Sequence, residues 1–280
     1  MVYLATILVF VLVVFFYMHI NHQRKIVNDK EIATLNINSS RVLDEVCELR
    51  VPFLFSRNVV DFQSIGLNYE DVKLNETGDY IYVNEVSGNT ITKQMKSWKW
   101  LVSNLDSNAI STAPPQLVNH SMFDKINRKY KTFWSPYMSV HDDSRIIIGN
   151  NRGTEGYTQS SACRRYVTCL DGTAEIRLVL PDTIDKRSTN DFSTIGPDDY
   201  VKVVLKPGNV VSIPPYWWTA ILTSEKTVIM EQNYRSIINI LANLDTLVIS
   251  FLRKLNVEKK ISSSKETLSE GVLSSVSKVE

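Results

Sequence analysis

Leu205-Lys206-Pro207-Gly208-Asn209-Val210-Val211-Ser212-Ile213-Pro214-Pro215-Tyr216-Trp217-Trp218 is the most informative stretch of this chain. Pro207-Gly208 reads as a tight turn, because proline presets one corner and glycine accepts the other. Asn209 to Ile213 then reads as a short strand, rich in Val and Ile and bounded by turn residues. Runs of the same kind lie on both sides: Arg145 to Ile148, Arg164 to Leu170, Ala174 to Leu180, Val201 to Leu205, Thr219 to Leu222 and Lys226 to Gln232. Asp171-Gly172 between two of them is a hairpin signal. Short strands at regular spacing predict a mostly β fold, a sandwich or a barrel.

The bulk properties exclude several functions. The chain has 280 residues and a formal net charge of +1. That length suits one sizeable domain, and the charge gives no general nucleic-acid surface, so no nucleic-acid partner is expected. Cys47, Cys163 and Cys169 are too few for a disulfide framework and read as buried, inert thiols. There is no CxxC or Cys/His cluster for structural zinc, no GxGxxG and no Walker loop. Ser160-Ser161 lies near Cys163 but has no His in the sequence around it to act as base.

The N-terminus reads differently. From Val2 to Ile20 the residues are nearly all apolar, and about 20 such residues span a hydrocarbon core of ~30 Å. No basic residue precedes the run and no small-x-small cleavage site follows it, so an uncleaved transmembrane anchor is expected over residues 1–20, with lipid contacts from residues 2–20. Arg24, Lys25 and Lys30 follow the span, which places the C-terminal domain of a single-pass protein on the cytoplasmic side. Asn38, Asn75 and Asn119 head glycosylation sequons that matter only in a lumenal domain.

Residues 21–40 are polar and read as a linker, and a folded domain is expected over residues 41–256. Within it, Arg41 to Glu48 reads as a short helix and Val51 to Phe55 as a strand. Ser97 to Ser103 reads as a short helix, Ala109 to Asn119 as irregular and Asp182 to Asp199 as a loop. From Tyr234 to Leu255 the period becomes helical, with Ile237, Leu241, Leu244, Val248, Phe251 and Leu255 on one face. That stripe either packs on the domain's own sheet or forms the seam of a homodimer. Residues 257–280 are rich in Ser, Lys and Glu and read as a disordered tail.

Three stretches resemble the cupin-like oxygenases of the Jumonji C and asparaginyl-hydroxylase type. They are Leu49-Arg50-Val51-Pro52-Phe53, then Ile146-Ile147-Ile148-Gly149 with Arg152-Gly153-Thr154, and the opening stretch through Trp218. The resemblance implies a double-stranded β-helix, with flanking helices, over Arg41 to Leu255. It also implies an Fe(II) site of two His and one carboxylate, arranged as His-x-Asp and a distal His after the Trp-Trp pair.

In this chain Gln159 and Ser161 fall at the His-x-Asp positions and Thr219 at the distal one, while Ala174 falls near the family's basic co-substrate residue. The four histidines are His19, His22, His120 and His141, so none lies in the last strands. His141-Asp142-Asp143 repeats the His-x-Asp spacing but reads as a solvated turn. The expectation is therefore a pseudoenzyme with no metal and no cofactor, in a binding or structural role. Its polar pocket would be lined by Gln159, Ser161 and Thr219 and edged by Tyr216, Trp217 and Trp218. The alternatives are an Fe(II)/2-oxoglutarate hydroxylase with an atypical metal site, and a structural membrane protein of a virion or envelope. Arg164 and Arg165 must point to opposite faces of their strand, so one can face the interior as a ligand anchor or in a salt bridge.

Overall fold

The computed structural model describes residues 2–27, 29–57, 80–87, 90–97, 110–113, 133–149, 151, 153, 156–183, 195–196, 198–244 and 248. The chain divides into one unit of Lys25–Ile237 and another of Met1–Arg24 with Ile238–Glu280.

The larger unit is mostly β. After β1 (Ala33–Leu35) and helix α2 (Ser40–Glu48) come β2 (Phe53–Ser56), β3 (Tyr80–Ser87), β4 (Thr90–Ser97) and β5 (Ile110–Ala113). Eight more strands follow: β6 (Ser139–Gly149), β7 (Thr158–Gln159), β8 (Arg164–Asp171), β9 (Ala174–Val179), β10 (Tyr200–Leu205), β11 (Asn209–Ile213), β12 (Trp218–Thr223) and β13 (Thr227–Ser236). They form two sheets among the described residues, in the orders β1-β2-β11-β8-β13-β6-β5-β3-β4 and β10-β9-β12-β7. Apart from the parallel β1–β2 pair, every strand pair is antiparallel.

The two sheets share a core. Ile147, Val167, Val211 and Ile229 from the large sheet pack with Ile176, Leu178, Val203 and Ile221 from the small one. The outer face of the large sheet is also closed. Tyr166, wholly buried on β8, meets Trp134 with ring centroids 5.3 Å apart and Phe55 at 6.3 Å. Leu43 of α2 is fully buried too. Ser39 caps α2, its side chain accepting from the Val42 amide at 3.3 Å; a Ser at this position satisfies an amide the helix start leaves open.

Several expectations need correction. The linker is not structureless, since Ala33–Leu35 pairs in parallel with Phe53–Phe55; hydrogen bonding to a buried strand organises a polar stretch. Ile110–Ala113, expected to be irregular, is a strand between β3 and β6. His141-Asp142-Asp143 is not a turn but part of β6, held by pairing with Tyr234 and its neighbours on β13. For the same reason Tyr234 to Ser236 are strand, and the expected helix starts at Ile237. It runs as α3 from Ile237 to Ala242. In the expected stripe, Ile237, Leu241, Leu244 and Val248 are 44–52% exposed, whereas Phe251 and Leu255 lie outside the described residues. The tail at 257–280 lies outside them as well, as does the predicted helix Ser97 to Ser103 except for Ser97, which ends β4 as strand.

In the smaller unit, α1 runs unbroken from Val2 to Arg24. It is apolar all round, with no polar face, and its side chains are exposed from Tyr3 (85%) through Tyr17 (66%) wherever they are described. Side chains within α1 are described only at residues 3 and 6–22. Among the described residues no helix is long and apolar enough to cross a membrane.

The hairpin between β8 and β9 depends on Gly172, which has a φ of 72°. A Cβ there would lie 2.8 Å from the Lys226 carbonyl oxygen. Gly172→Ala is expected to cost about 1–2 kcal/mol for the left-handed conformation, and more for the backbone contact. A lower urea midpoint in circular dichroism checks it.

Candidate functional site

Strand alternation positions the interior polar groups. Val167 and Cys169 of β8 and Ile229 of β13 lie in the core between the sheets. Stepping by two residues puts Arg165 on the same face of β8, and Glu231 and Asn233 on the same face of β13. There the Arg165 Nε donates to Glu231 Oε1 at 2.8 Å, and Arg145 Nη2 donates to the same oxygen at 2.9 Å. Asn233 Nδ2 adds a third donor at 3.1 Å. The far side of the Arg165 guanidinium reaches the small sheet: Nη1 donates to Thr219 Oγ1 at 3.2 Å and Nη2 to Thr158 Oγ1 at 3.4 Å. Ser160 Oγ donates to Asn233 Oδ1 at 3.3 Å. Arg165 is 2% exposed and Glu231 1%.

Burial alone would push the Glu231 carboxyl up. The guanidiniums of Arg165 and Arg145 outweigh it and hold the group down at about 2. Arg165 is lowered, first by burial and also by Arg145, against the pull of Glu231. Arg145 is raised by Glu231, against burial, with a smaller contribution from Asp143. Carboxylates and guanidiniums therefore alternate from half-buried Asp143 and Arg145 to buried Glu231 and Arg165.

The expected site residues separate in the fold. Thr219 is inside, 1% exposed and bonded to Arg165. Its partner across the strands is Thr158, while Gln159 pairs with Trp218. Neighbours on a strand face opposite ways, so Gln159 goes to the other side, exposed, with Nε2 donating to the Tyr216 carbonyl at 2.6 Å. Ser160 rather than Ser161 reaches Asn233. The hydroxyls that reach Arg165 and Asn233 are thus those of Thr158, Ser160 and Thr219, one residue out of register from Gln159 and Ser161; Thr219 is buried, Ser160 half-buried and Thr158 exposed. A one-residue slip exchanges the two faces of a strand.

The three aromatics expected at the pocket edge, Tyr216, Trp217 and Trp218, take different positions. Trp217 is 1% exposed in the core between the sheets. Trp218 packs in a separate cluster with Tyr157, Val179 and Ala220, and its Nε1 donates to the Pro181 carbonyl at 3.2 Å. Tyr216 sits at the turn with a φ of 69°, its amide donating to the Ser160 carbonyl at 2.8 Å. The two tryptophans thus belong to different clusters.

Arg164 and Arg165 do point opposite ways. Arg164, on the outer face, donates to Asp44 of α2 and to the Trp134 carbonyl at 3.3 Å. Cys47 and Cys163 line a small cavity beside it with Arg50, and burial pushes both thiols up, which suits inert rather than nucleophilic cysteines. Glu231 was missed in the sequence. Its signal was an acid inside the apolar run Val228-Ile229-Met230, flanked by Gln232.

The residues do not fit iron. Thr158 and Thr219 turn their hydroxyl oxygens to a guanidinium, and Ser160 and Asn233 bond each other. Neutral oxygens beside a fixed cation are poor ligands for a divalent ion that prefers imidazole and carboxylate. Among the described residues no group of three or more His, Cys, Asp or Glu is placed to hold a metal ion.

An ionised buried carboxylate couples folding to pH. Because the folded-state value of Glu231 is depressed, its contribution to stability is complete above the ordinary carboxyl value of 4.5 and is lost as pH falls toward about 2. Glu231→Gln is expected to cost about 3–5 kcal/mol at neutral pH, through the guanidiniums it strands. The variant should also show a shallower loss of stability below pH 4.5 than the parent chain. Urea unfolding at stepped pH reads both. No family model matches this chain, and no curated protein matches it.

Proposed function

We propose that the chain is a membrane-anchored, cupin-like domain without iron chemistry, serving as a binding or structural protein. The observation that carries this reading is the buried Arg165–Glu231 pair, whose guanidinium also bonds buried Thr219 and, at the rim, Thr158. A fixed organic cation there takes the place an iron would need, and it comes with its own counter-ion.

The strand order supports a double-stranded β-helix. From β6 onward the chain alternates between sheets, except that β9 and β10 are neighbours in the small one, giving β11-β8-β13-β6 against β10-β9-β12-β7. The anchor rests on the sequence: the run from Val2 to Ile20 is nearly all apolar, and about 20 such residues match a ~30 Å hydrocarbon core. The cations Arg24 and Lys25 after it support a cytoplasmic domain.

The full chain in detergent is expected to purify without stoichiometric iron and to leave 2-oxoglutarate unconsumed. Iron-dependent turnover would promote the oxygenase alternative. The register makes a sharper expectation: Thr158→His, Ser160→Asp and Thr219→His, with Arg165→Ala to clear the cation, should gain cobalt binding visible in absorption. The set Gln159→His, Ser161→Asp and Thr219→His should not.

For the anchor, the chain should stay with membranes through alkaline carbonate washing, and Asn38 should remain unmodified. A glycosidase-sensitive mobility shift would reverse the orientation.

A further inference from the structure

Helix α2 ends at Glu48 with Leu49 as its C-cap, and Arg50 follows in the left-handed conformation, at a φ of 57°. The position just past a helix end usually takes Gly, which has no Cβ to strain. Here it carries a guanidinium, and the residue is 6% exposed. Arg50 lines a small cavity where the end of α2 meets β2, β8 and β11, and Arg164, 7% exposed, lines it too. Cys47, Cys163 and Ser212 supply the other polar side chains, and the rest of the wall is Val, Phe, Ile and Pro. No acid lines it. The carboxylates whose charges act on the two guanidiniums, Asp44 and Glu48, sit on the outside of α2, one half-buried and one exposed. Burial pushes both thiols up, so they stay neutral. Arg164 uses Nη1 on the Trp134 carbonyl and Nη2 on Asp44, and among the described residues no acceptor stands at its Nε.

We propose that this cavity binds a small monovalent anion of halide size, chloride above all, between Arg50 and Arg164. The charge of the ligand follows from the lining. Two guanidiniums at one cavity repel each other, and the hydroxyl and thiols around them are neutral and can donate, so a negative charge is what the site lacks. The size follows from the space. The cavity has room for about one water-sized species, which suits a chloride and leaves out sulfate or phosphate. The walls of Val51, Phe53, Ile213 and Pro214-Pro215 offer an anion no hydration, which favours chloride or bromide over the strongly hydrated fluoride. A bound anion joins the end of α2 to the start of β8, on the opposite face of that strand from the Arg165–Glu231 pair. The site depends on neither the anchor nor the absence of iron.

The test uses the full chain in a non-ionic detergent, with gluconate as the balancing anion and chloride added in steps. The chlorine-35 magnetic resonance line should broaden with the chain present, and bromide should reverse the broadening while fluoride and sulfate at equal ionic strength do not. Arg50→Gly removes the guanidinium and suits the left-handed backbone; with an unchanged circular dichroism spectrum it should lose the broadening. A second measurement needs no variant. Chloride at about four times its half-saturation should slow hydrogen exchange about fivefold in peptides over Cys47–Phe53 and Ser212–Pro215, because local opening there releases the ion. Peptides over Thr219–Thr223 should be unaffected. No broadening, or broadening that persists in the folded Arg50→Gly chain, overturns the proposal in favour of ions loosely held at surface cations. Exchange that is unchanged at Cys47–Phe53, or slowed equally everywhere, overturns it as well, and decides the matter if the variant does not fold.

Discussion

A guanidinium that is 2% exposed has to place its N–H groups inside the protein, and Arg165 places them on three strands. Its Nε is held by Glu231 on β13, Nη1 by Thr219 on β12 and Nη2 by Thr158 on β7. Burying an unpaired charge would cost several kcal/mol, so none of these partners is optional. The pair therefore ties the large sheet to the small one at the polar end of the shared interior. Such a pair is weak evidence of added stability, because the cost of removing both charges from water offsets much of their attraction.

Below that polar end the interior is apolar, with Val167, Cys169, Ile176, Leu178 and Ile229 filling the space between the sheets. The large sheet is buried on its other face as well, which is why β8 reads as a nearly continuous buried run, from Arg164 to Leu170. Arg164 supplies the polar tie on that outer face, joining β8 to α2 through Asp44. Two adjacent arginines on one strand thus secure its two faces, one inward to Glu231 and one outward to Asp44.

The interior polar groups satisfy one another: one carboxylate oxygen of Glu231 accepts from Arg165, Arg145 and Asn233, and Ser160 in turn donates to Asn233.

The sequence by itself determined the strands of the second half, the turns at Asp171-Gly172 and Pro207-Gly208, the short helix over Arg41 to Glu48 and the apolar run at the N-terminus. These are local properties: a period of two, a left-handed corner and a helical turn depend on neighbours a few residues away. It also determined that Arg164 and Arg165 face opposite ways, because alternation is built into a strand. What alternation cannot say is which parity faces in. That was decided by pairing between strands, where Thr158 came opposite Thr219 and its hydroxyl met Arg165, while Gln159 came opposite Trp218 and its amide met the Tyr216 carbonyl. Tertiary pairing likewise carried β13 through Tyr234 to Ser236, against a helical pattern, and drew Ala33–Leu35 into the sheet. Glu231 belongs to the same class: its meaning lies in two arginines that are distant in sequence, and only the closed fold brings their charges to within hydrogen-bond distance of one carboxylate oxygen.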